Sequence, residues 1–539
     1  MFGRGERPSA TALCARRRAD AAGQARAGRR FPRPRRPRRH WLVAVVLLAL
    51  IGCREDDAPA PPAPAAEAAA PAVGCGEIPG SPGPPDGSVV LVLNDTMRRD
   101  RMGIHGGPAR TPHFDRFARE NLWFVRAVSQ APWTKPSVAT LFTSLHPSQH
   151  GVITHPSHQK RAGEELGRRL TASDRLPEAA LTLAEAFRAA GFRTAAFVAN
   201  PWMDRRFGFE QGFEHYDDSF ARWDVPGERV VEAALAWLAA LPADQRFFLY
   251  VHTIDTHRPY PALTWAELEE ALAQPPPPGT LPIAARREIR SLLRVEGPRP
   301  PGVQPPPSRR AIRRAYDKGI EVWDAAFGTL LAGLERDPRW DRMAVLVTSD
   351  HGEALYERGY GNHGLGLYQS DLAVPFVARL PGAGPARVEC RVGLIDVMPT
   401  LCEWSGLACP ATMEGRSFFA GAPEAEDLNE PYRGEAALID LAQRAAYRGR
   451  YKLIHAPGRR AETNPPPRAW SLFDLAEDPA EEHDLLAEPE LPAAVEPVYA
   501  GLRLAIETWL AGASPVLAPE AAPVDPQLEE RLRSLGYVE

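Results

Sequence analysis

The chain has 539 residues, 44 % hydrophobic and 24 % charged, a mix that excludes wholesale disorder and a multi-span membrane protein. At about 100–200 residues per domain it holds two to four domains, or one large α/β domain with appendages. Residues 1–40 hold thirteen arginines against Glu6 and Asp20 and so carry +11, which leaves −15 on the rest to reach the net −4; an acidic body excludes a nucleic-acid binder, whose footprint is basic.

The start reads as an address. The Arg-rich stretch ends at Arg38-Arg39-His40, and the apolar run Trp41–Ile51 follows. A helix of that length spans about 16 Å, against a hydrocarbon core of about 30 Å. A basic stretch before a short apolar one is the pattern of an export signal. The run closes on Leu50-Ile51-Gly52-Cys53, which resembles the bacterial lipoprotein signal, where the cysteine is lipidated and becomes the new N-terminus. A plain secretory signal and a short retained anchor are the other readings. The expectation is a signal over 1–53, lipidation at Cys53, and an exported protein held on the cell envelope. Residues 54–87 are Ala, Pro, Gly and acids, a composition that buries no core and predicts a semi-extended tether. Cys75, Cys390, Cys402 and Cys409 follow, an even number that permits disulfides, with Cys402–Cys409 a local pair and buried thiols the alternative.

From residue 88 strands and helices alternate. Ser88–Leu93 is a continuous apolar run, the mark of a buried central strand. Leu181–Ala190 has helical spacing, Gly191 stops it, and Thr194–Ala199 reads as a strand. Val230–Leu241 predicts a helix, Phe247–Thr253 a strand, Ala315–Leu334 a long helix and Met343–Val347 another buried strand. The alternation predicts an α/β body over 88–430, its sheet mostly parallel and covered on both faces. A Pro-rich insertion at 274–309 surrounds a short helical piece. Beyond residue 430, Lys452–His455 and Ser471–Asp474 read as strands and Val495–Gly512 as a helix, a smaller α+β subdomain over 431–539.

In open α/β sheets ligands bind beyond the carboxyl ends of strands. The first strand runs into Asn94-Asp95-Thr96, and strand 343–347 into Thr348-Ser349-Asp350-His351-Gly352-Glu353. Two more segments carry histidines: His252 to Tyr260, with Asp255 and His257, and Gly361-Asn362-His363-Gly364. Aspartates and histidines at such ends suit a divalent cation; oxygen ligands favour Ca²⁺ or Mg²⁺, and an imidazole shifts the preference toward Mn²⁺ or Zn²⁺. One such aspartate alone is more often a cap or turn residue. The candidate nucleophile is Thr134 in Ala131–Leu141. Pro136 suits a first helical turn, which puts Thr134 just before a helix N-terminus, facing its unpaired N–H groups and the positive end of its dipole. A neighbouring cation would make its hydroxyl a usable alkoxide; a plain N-cap is the alternative.

Seven segments in order resemble the sulfatase family of the alkaline phosphatase superfamily: Val89–Gly103, Thr134–Ser144, Asn200–Asp217, His252–Tyr260, Ser349–Glu353, His363–Tyr368, and Tyr451–Ile454 with Leu472–Leu485. The ending Leu532–Glu539 is also similar. The resemblance implies an alkaline phosphatase-like α/β fold with a large mixed, mostly parallel sheet, and one divalent metal ion, with Ca, Mn, Zn and Mg all open. It implies metal ligation by Asp95, Asp350, His351 and the nucleophile Thr134; Thr96 stands where many members have a second Asp. It implies that His257 and His363 stabilise the substrate anion or protonate the leaving oxygen. Lys135, Asn200 and Asp255, beside these motifs, are assigned to substrate binding.

Thr134 also marks a departure. In hydrolytic sulfatases the motif resembles Cys/Ser-x-Pro-x-Arg, and the Cys or Ser becomes formylglycine. Threonine cannot become that aldehyde and Val138 replaces the Arg, so formylglycine is not expected. A threonyl ester is released only by direct attack at sulfur or phosphorus, and attack at phosphorus is the more familiar course in the superfamily. The expected function is metal-dependent hydrolysis of a sulfate or phosphate ester, leaning toward phosphodiesters and phosphonates. A transferase resembling the phosphoglycerol and phosphoethanolamine transferases of envelope lipids or glycans is the alternative, and a catalytically silent binding protein a further one. Expected partners are a small-molecule, glycan or lipid ester and the membrane surface, with no nucleic acid.

Overall fold

The structure is a computed structural model describing residues 70–534 apart from 75–76, 79–82, 85, 154–171, 222–224, 274–280, 298–306, 421–431, 439–440, 458–468 and 513–514. The signal, Cys53 and most of the tether lie outside the described residues.

One nine-stranded sheet organises the chain: β1 Ala72–Val73, β2 Ser88–Asn94, β3 Leu122–Val128, β4 Arg193–Val198, β5 His215–Asp217, β6 Phe247–Thr253, β7 Met343–Thr348, β8 Phe376–Arg379 and β9 Ala386–Gly393. Their order is β1-β9-β3-β8-β7-β2-β6-β4-β5. Every pairing is parallel except the two made by β8. β2 sits centrally because all seven of its residues are buried, and a strand covered on both faces needs an unbroken apolar run. The register Leu346↔Leu91 and Leu91↔Tyr250 aligns β7, β2 and β6, so their carboxyl ends open on one side. That alignment brings chemistry-bearing residues together from three distant parts of the chain.

Helices flank the sheet: α1 Thr134–Thr143, α2 Gly227–Ala239, α3 Ile283–Leu292, α4 Arg309–Glu335 and, near the end, α5 Glu496–Gly512. Phe142 of α1 stands edge-on to Tyr250 of β6, ring centroids 5.0 Å apart. α1 begins at Thr134 itself, with Trp133 as its N-cap, one residue earlier than the sequence implies. The helix expected at 181–190 spans Leu183–Ala189 and ends before Gly191, whose φ of +82° is the left-handed stop that glycine accepts. The described part of the Pro-rich insertion folds as α3, closed by a two-residue pairing of Leu263–Thr264 with Val295–Glu296. Cys402 and Cys409 form a disulfide, their Cα atoms 6.1 Å apart.

A second, antiparallel sheet comprises β10 Tyr432–Leu438, β11 Leu441–Arg448, β12 Tyr451–His455 and β13 Trp470–Asp474 in sequential order. Leu453 and Leu472 bury one face of it against Leu502 and Ile506 of α5. It belongs to the same compact unit, Ala68–Glu539, as the large sheet.

Candidate active site

The parallel neighbours β2 and β7 end side by side, and the residues just past them bond across the gap. The N–H of Thr96 donates to Asp350 Oδ1 at 3.1 Å, and the N–H of His351 donates to the same oxygen at 2.8 Å. Thr96 has φ +59°, a left-handed turn that aims its N–H at that carboxylate. The Asp95 N–H donates to the Thr253 carbonyl at 3.0 Å, and its Oδ2 accepts from the Asn200 amide. One oxygen of each carboxylate is therefore committed. Asp95 Oδ1 and Asp350 Oδ2 are buried with no hydrogen-bond partner outside the cluster among the described residues.

His351 completes the arrangement. Its Nδ1 lies 2.8 Å from the Gly352 carbonyl. A carbonyl only accepts, so Nδ1 carries the proton and Nε2 offers a lone pair. Nε2 stands 3.5 Å from Asp95 Oδ1 and 3.4 Å from Asp350 Oδ2. The three ligand atoms lie within 4.8 Å of one another. Burial first, then the Asp350 charge, pushes the Asp95 carboxyl well above its ordinary range. Lone pairs facing lone pairs in a dry pocket cost several kcal/mol unless a cation sits between them. Two carboxylate oxygens and one imidazole nitrogen suit a divalent ion, including the Mn²⁺ and Zn²⁺ that accept nitrogen.

Thr134 reaches this cluster as the first residue of α1. Its Oγ1 lies 3.4 Å from His351 Nε2 and accepts from Asn200 Nδ2 at 3.2 Å. Hydrogen bonding from its hydroxyl favours the ionised form of both carboxylates, against the effect of burial. Asn200 thus bridges one carboxylate and the threonine, and its Oδ1 accepts from the Trp202 N–H at 2.7 Å, which fixes the amide's orientation.

The two further histidines line the same pocket. The His363 ring centroid is 4.5 Å from that of His351 and 5.1 Å from that of His257. His257 Nδ1 lies 2.6 Å from the Arg258 carbonyl, so it too is the protonated nitrogen. His363 Nδ1 lies 2.9 Å from Glu353 Oε2, and Glu353 Oε1 accepts from the Tyr260 hydroxyl at 3.1 Å. Burial drives His257 down to about 3 and His363 well below its ordinary value, so both are neutral in the closed pocket.

Three assignments change. Lys135 does not join the cluster: one helical step rotates it away from Thr134, and its Nζ bonds Ser173 Oγ at 2.8 Å and the Asp174 carbonyl, over the Phe207 ring. Asp255 lies at the other end of its turn, accepting from the Gly227 N–H at 2.9 Å at the start of α2. Gly227 has no Cβ because Asp255 Oδ2 fills that space. Thr96 gives the site its N–H, while its hydroxyl turns to Thr256 Oγ1 at 3.3 Å. Glu353, Tyr260 and Thr256, which sequence reading left without a role, brace the pocket; Thr256 does so by donating to the Asp95 carbonyl. Val138 is fully buried.

The sulfatase family pattern matches residues 88–407. The chain is 24 % identical over 456 residues to an ulvan-active sulfatase of Formosa agariphila, covering 75 % of this chain and 78 % of that one. It is 24 % identical over 493 residues to the multifunctional alkaline phosphatase superfamily protein PehA of Trinickia caryophylli, covering 76 % and 93 %. Its fold is similar to that of the phosphonate monoester hydrolase of Agrobacterium radiobacter, with a TM-score of 0.56 at 19 % identity over 79 % of this chain and 96 % of that one. Together with the strand-end cluster these matches define the protein: it belongs to the sulfatase family of sulfuric ester hydrolases, within the alkaline phosphatase superfamily.

Proposed function

We propose that this protein is a metal-dependent ester hydrolase with Thr134 as its nucleophile, and that it takes phosphate diesters or phosphonate monoesters in preference to sulfate esters. The observation behind this reading is the convergence of a hydroxyl, an imidazole and two carboxylates: Thr134 Oγ1 lies 3.4 Å from His351 Nε2, which is itself 3.4 Å from Asp350 Oδ2. A divalent ion held by Asp95, Asp350 and His351 would supply charge neutralisation for the threonine oxygen and the ester's non-bridging oxygen. Asn200 orients Oγ1 through its amide N–H. One of the neutral rings, His257 or His363, returns to the departing alcohol oxygen the proton that Thr134 gives up, and the other stabilises the ester anion. In the first step the Oγ1–P (or Oγ1–S) bond forms as the bond to the alcohol breaks. In the second, water bonds to phosphorus or sulfur, the Oγ1 bond breaks, and Thr134 regains its proton. Threonine carries no second hydroxyl on the reacting carbon, so release depends on attack at the central atom, which favours phosphorus.

The test compares turnover of 4-nitrophenyl sulfate, bis(4-nitrophenyl) phosphate and 4-nitrophenyl phenylphosphonate by the metal-loaded protein. The phosphorus esters are expected to turn over faster, with an adduct trapped on the peptide containing Thr134. Undiminished turnover by Thr134→Ala overturns the mechanism. Product formation only with an added acceptor alcohol turns the reading into a phosphoglycerol- or phosphoethanolamine-type transferase, which Thr134 would serve equally. The activity sits at the cell envelope, exported by residues 1–53 and anchored through a lipidated Cys53; Cys53→Ser is expected to release the protein into the soluble fraction.

A further inference from the structure

The negative charge of the body reverses over the insertion. Residues 281–314 hold nine arginines against Glu288 and Glu296. α3 is the folded part of the insertion within this stretch. Its inner face buries Ala285 and Ile289. Its outer face follows the three- and four-residue steps of a helix, with Arg286, Arg287 and Arg290 exposed to solvent and Ile283, 78 % exposed, at its start. Arg286 donates Nε to the Leu281 carbonyl at 3.1 Å. The guanidinium groups of Arg287 and Arg290 make no ion pair or hydrogen bond among the described residues. Like charges at such spacing repel, and within the helix only Arg290, in the last turn, is favoured by the dipole.

The stripe is fastened to the loops that carry His257 and His363. Glu288, on the flank of α3, pairs with Arg258 Nη1 at 2.9 Å, and Arg258 directly follows His257. At the N-terminal end of α3, Pro282 packs against Gly359, where a Cβ would come within 3.3 Å of its ring, in the loop that leads to His363. Helix and catalytic loops are thus one assembly. Arg258, the residue after His257, links a histidine-bearing loop to the flank of the arginine-bearing helix.

We propose that the outer face of α3 is a docking track for a polyanionic glycan, a chain bearing repeated sulfate or phosphate groups, one of whose esters occupies the pocket. This rests on the reading of the pocket as an ester hydrolase. Arginine forks match the oxygens of sulfate and phosphate. Arg286 and Arg290 lie ~6 Å apart along the helix axis, so one extended chain can engage both. On a body of net negative charge such a patch also steers a polyanion toward the loops of the site.

The experiment uses the full-length, metal-loaded protein with dextran sulfate, neutral dextran, and vesicles rich in phosphatidylglycerol. At about 0.15 M salt the wild type is expected to bind dextran sulfate and not neutral dextran, and dextran sulfate to inhibit hydrolysis of a small aryl phosphodiester. The triple variant Arg286→Ala, Arg287→Ala, Arg290→Ala is expected to bind about tenfold more weakly with a shallower salt dependence, to escape inhibition, and to melt with the wild type. Three results overturn the proposal: a triple variant that binds dextran sulfate as tightly as the wild type; binding that leaves aryl ester turnover uninhibited; or a loss confined to the vesicles, which makes the stripe a membrane contact. Thr134→Ala separates the two readings. It is expected to lose turnover and keep dextran sulfate binding, so failure of either reading leaves the other result legible.

Discussion

Two fully buried ionic clusters in this protein have opposite degrees of completion. In one, Lys452 of β12 and Glu481 meet at 2.6 Å with neither exposed. The second Glu481 oxygen accepts from the Gln369 N–H at 2.5 Å. Burial draws Lys452 down to about 8, and Glu481 resists the shift. Every oxygen of that carboxylate has its donor, so the pair closes on itself and ties the C-terminal sheet to the segment behind His363. In the other, Asp95, Asp350 and His351 turn three lone pairs toward one point. Burial alone therefore does not mark function. The mark is a set of buried polar atoms that all lack the same kind of partner.

The widest separation between the clusters is expected from Thr134→Ala. It removes the hydroxyl that faces the open cluster and is expected to lower kcat by a factor of about 10³ or more, with the melting temperature nearly unchanged because the core around α1 keeps its contacts. Turnover of an aryl phosphodiester with a parallel thermal melt checks both halves. Asp350→Asn comes next. Metal titration is expected to show about a hundredfold weaker affinity. The metal-stripped variant is expected to melt above the metal-stripped wild type, because one of two facing buried charges is gone. A metal-stripped variant that melts lower removes the like-charge argument.

Lys452→Met acts on the closed cluster. It leaves the Glu481 carboxylate buried and uncompensated, which costs about 3–5 kcal/mol. Denaturant unfolding is expected to show that loss, and Lys452→Met with Glu481→Leu to recover most of it. Turnover per folded molecule is expected to persist. Loss of activity at full folding would mean that the closed pair sets the position of His363.

The open cluster was legible in the sequence because strand ends are readable: unbroken apolar runs stop at Asn94 and Thr348, and the polar residues beyond them emerge at one edge. The central strands β2, β6 and β7 were legible for the same reason, and the helix α4 by its length of helical apolar spacing. β3 and β9 were not, because arginines interrupt their apolar runs, as at Arg126 and Arg391, and β8 was not, because it is four residues long and ends on Arg379. Side-chain direction was the other illegible quantity. Thr134 and Lys135 are adjacent, yet one faces the cluster and the other Ser173. Glu353 stood inside a matched segment, but its partner His363 is ten residues on, across a pair of short strands. Only the fold reveals that bond.

Asp255 carries the smallest and most diagnostic effect. Sequence proximity to His257 suggests a substrate ligand, whereas the geometry makes it a brace for the N-terminus of α2. Burial raises its carboxyl to about 6, above the unfolded value near 3.9. The folded state therefore holds this proton more tightly than the unfolded state. Any stability linked to it is fully present below about pH 4 and is lost as pH rises through about 6. Asp255→Asn keeps an oxygen for the Gly227 N–H and removes the charge, at the cost of an amide N–H facing the space that Oδ2 now fills. The net gain at pH 8 is expected to be about 1 kcal/mol, after subtracting that unpaired donor; near pH 4 the linked gain is gone, the unpaired donor remains, and the variant is expected to be the less stable of the two. The ratio kcat/KM is expected to stay close to wild type, in contrast to Asn200→Ala, which unties Thr134 from Asp95. Melting curves at the two pH values, with kinetics on the same samples, decide between brace and ligand: a variant that melts like the wild type at both but no longer turns over substrate returns Asp255 to the pocket.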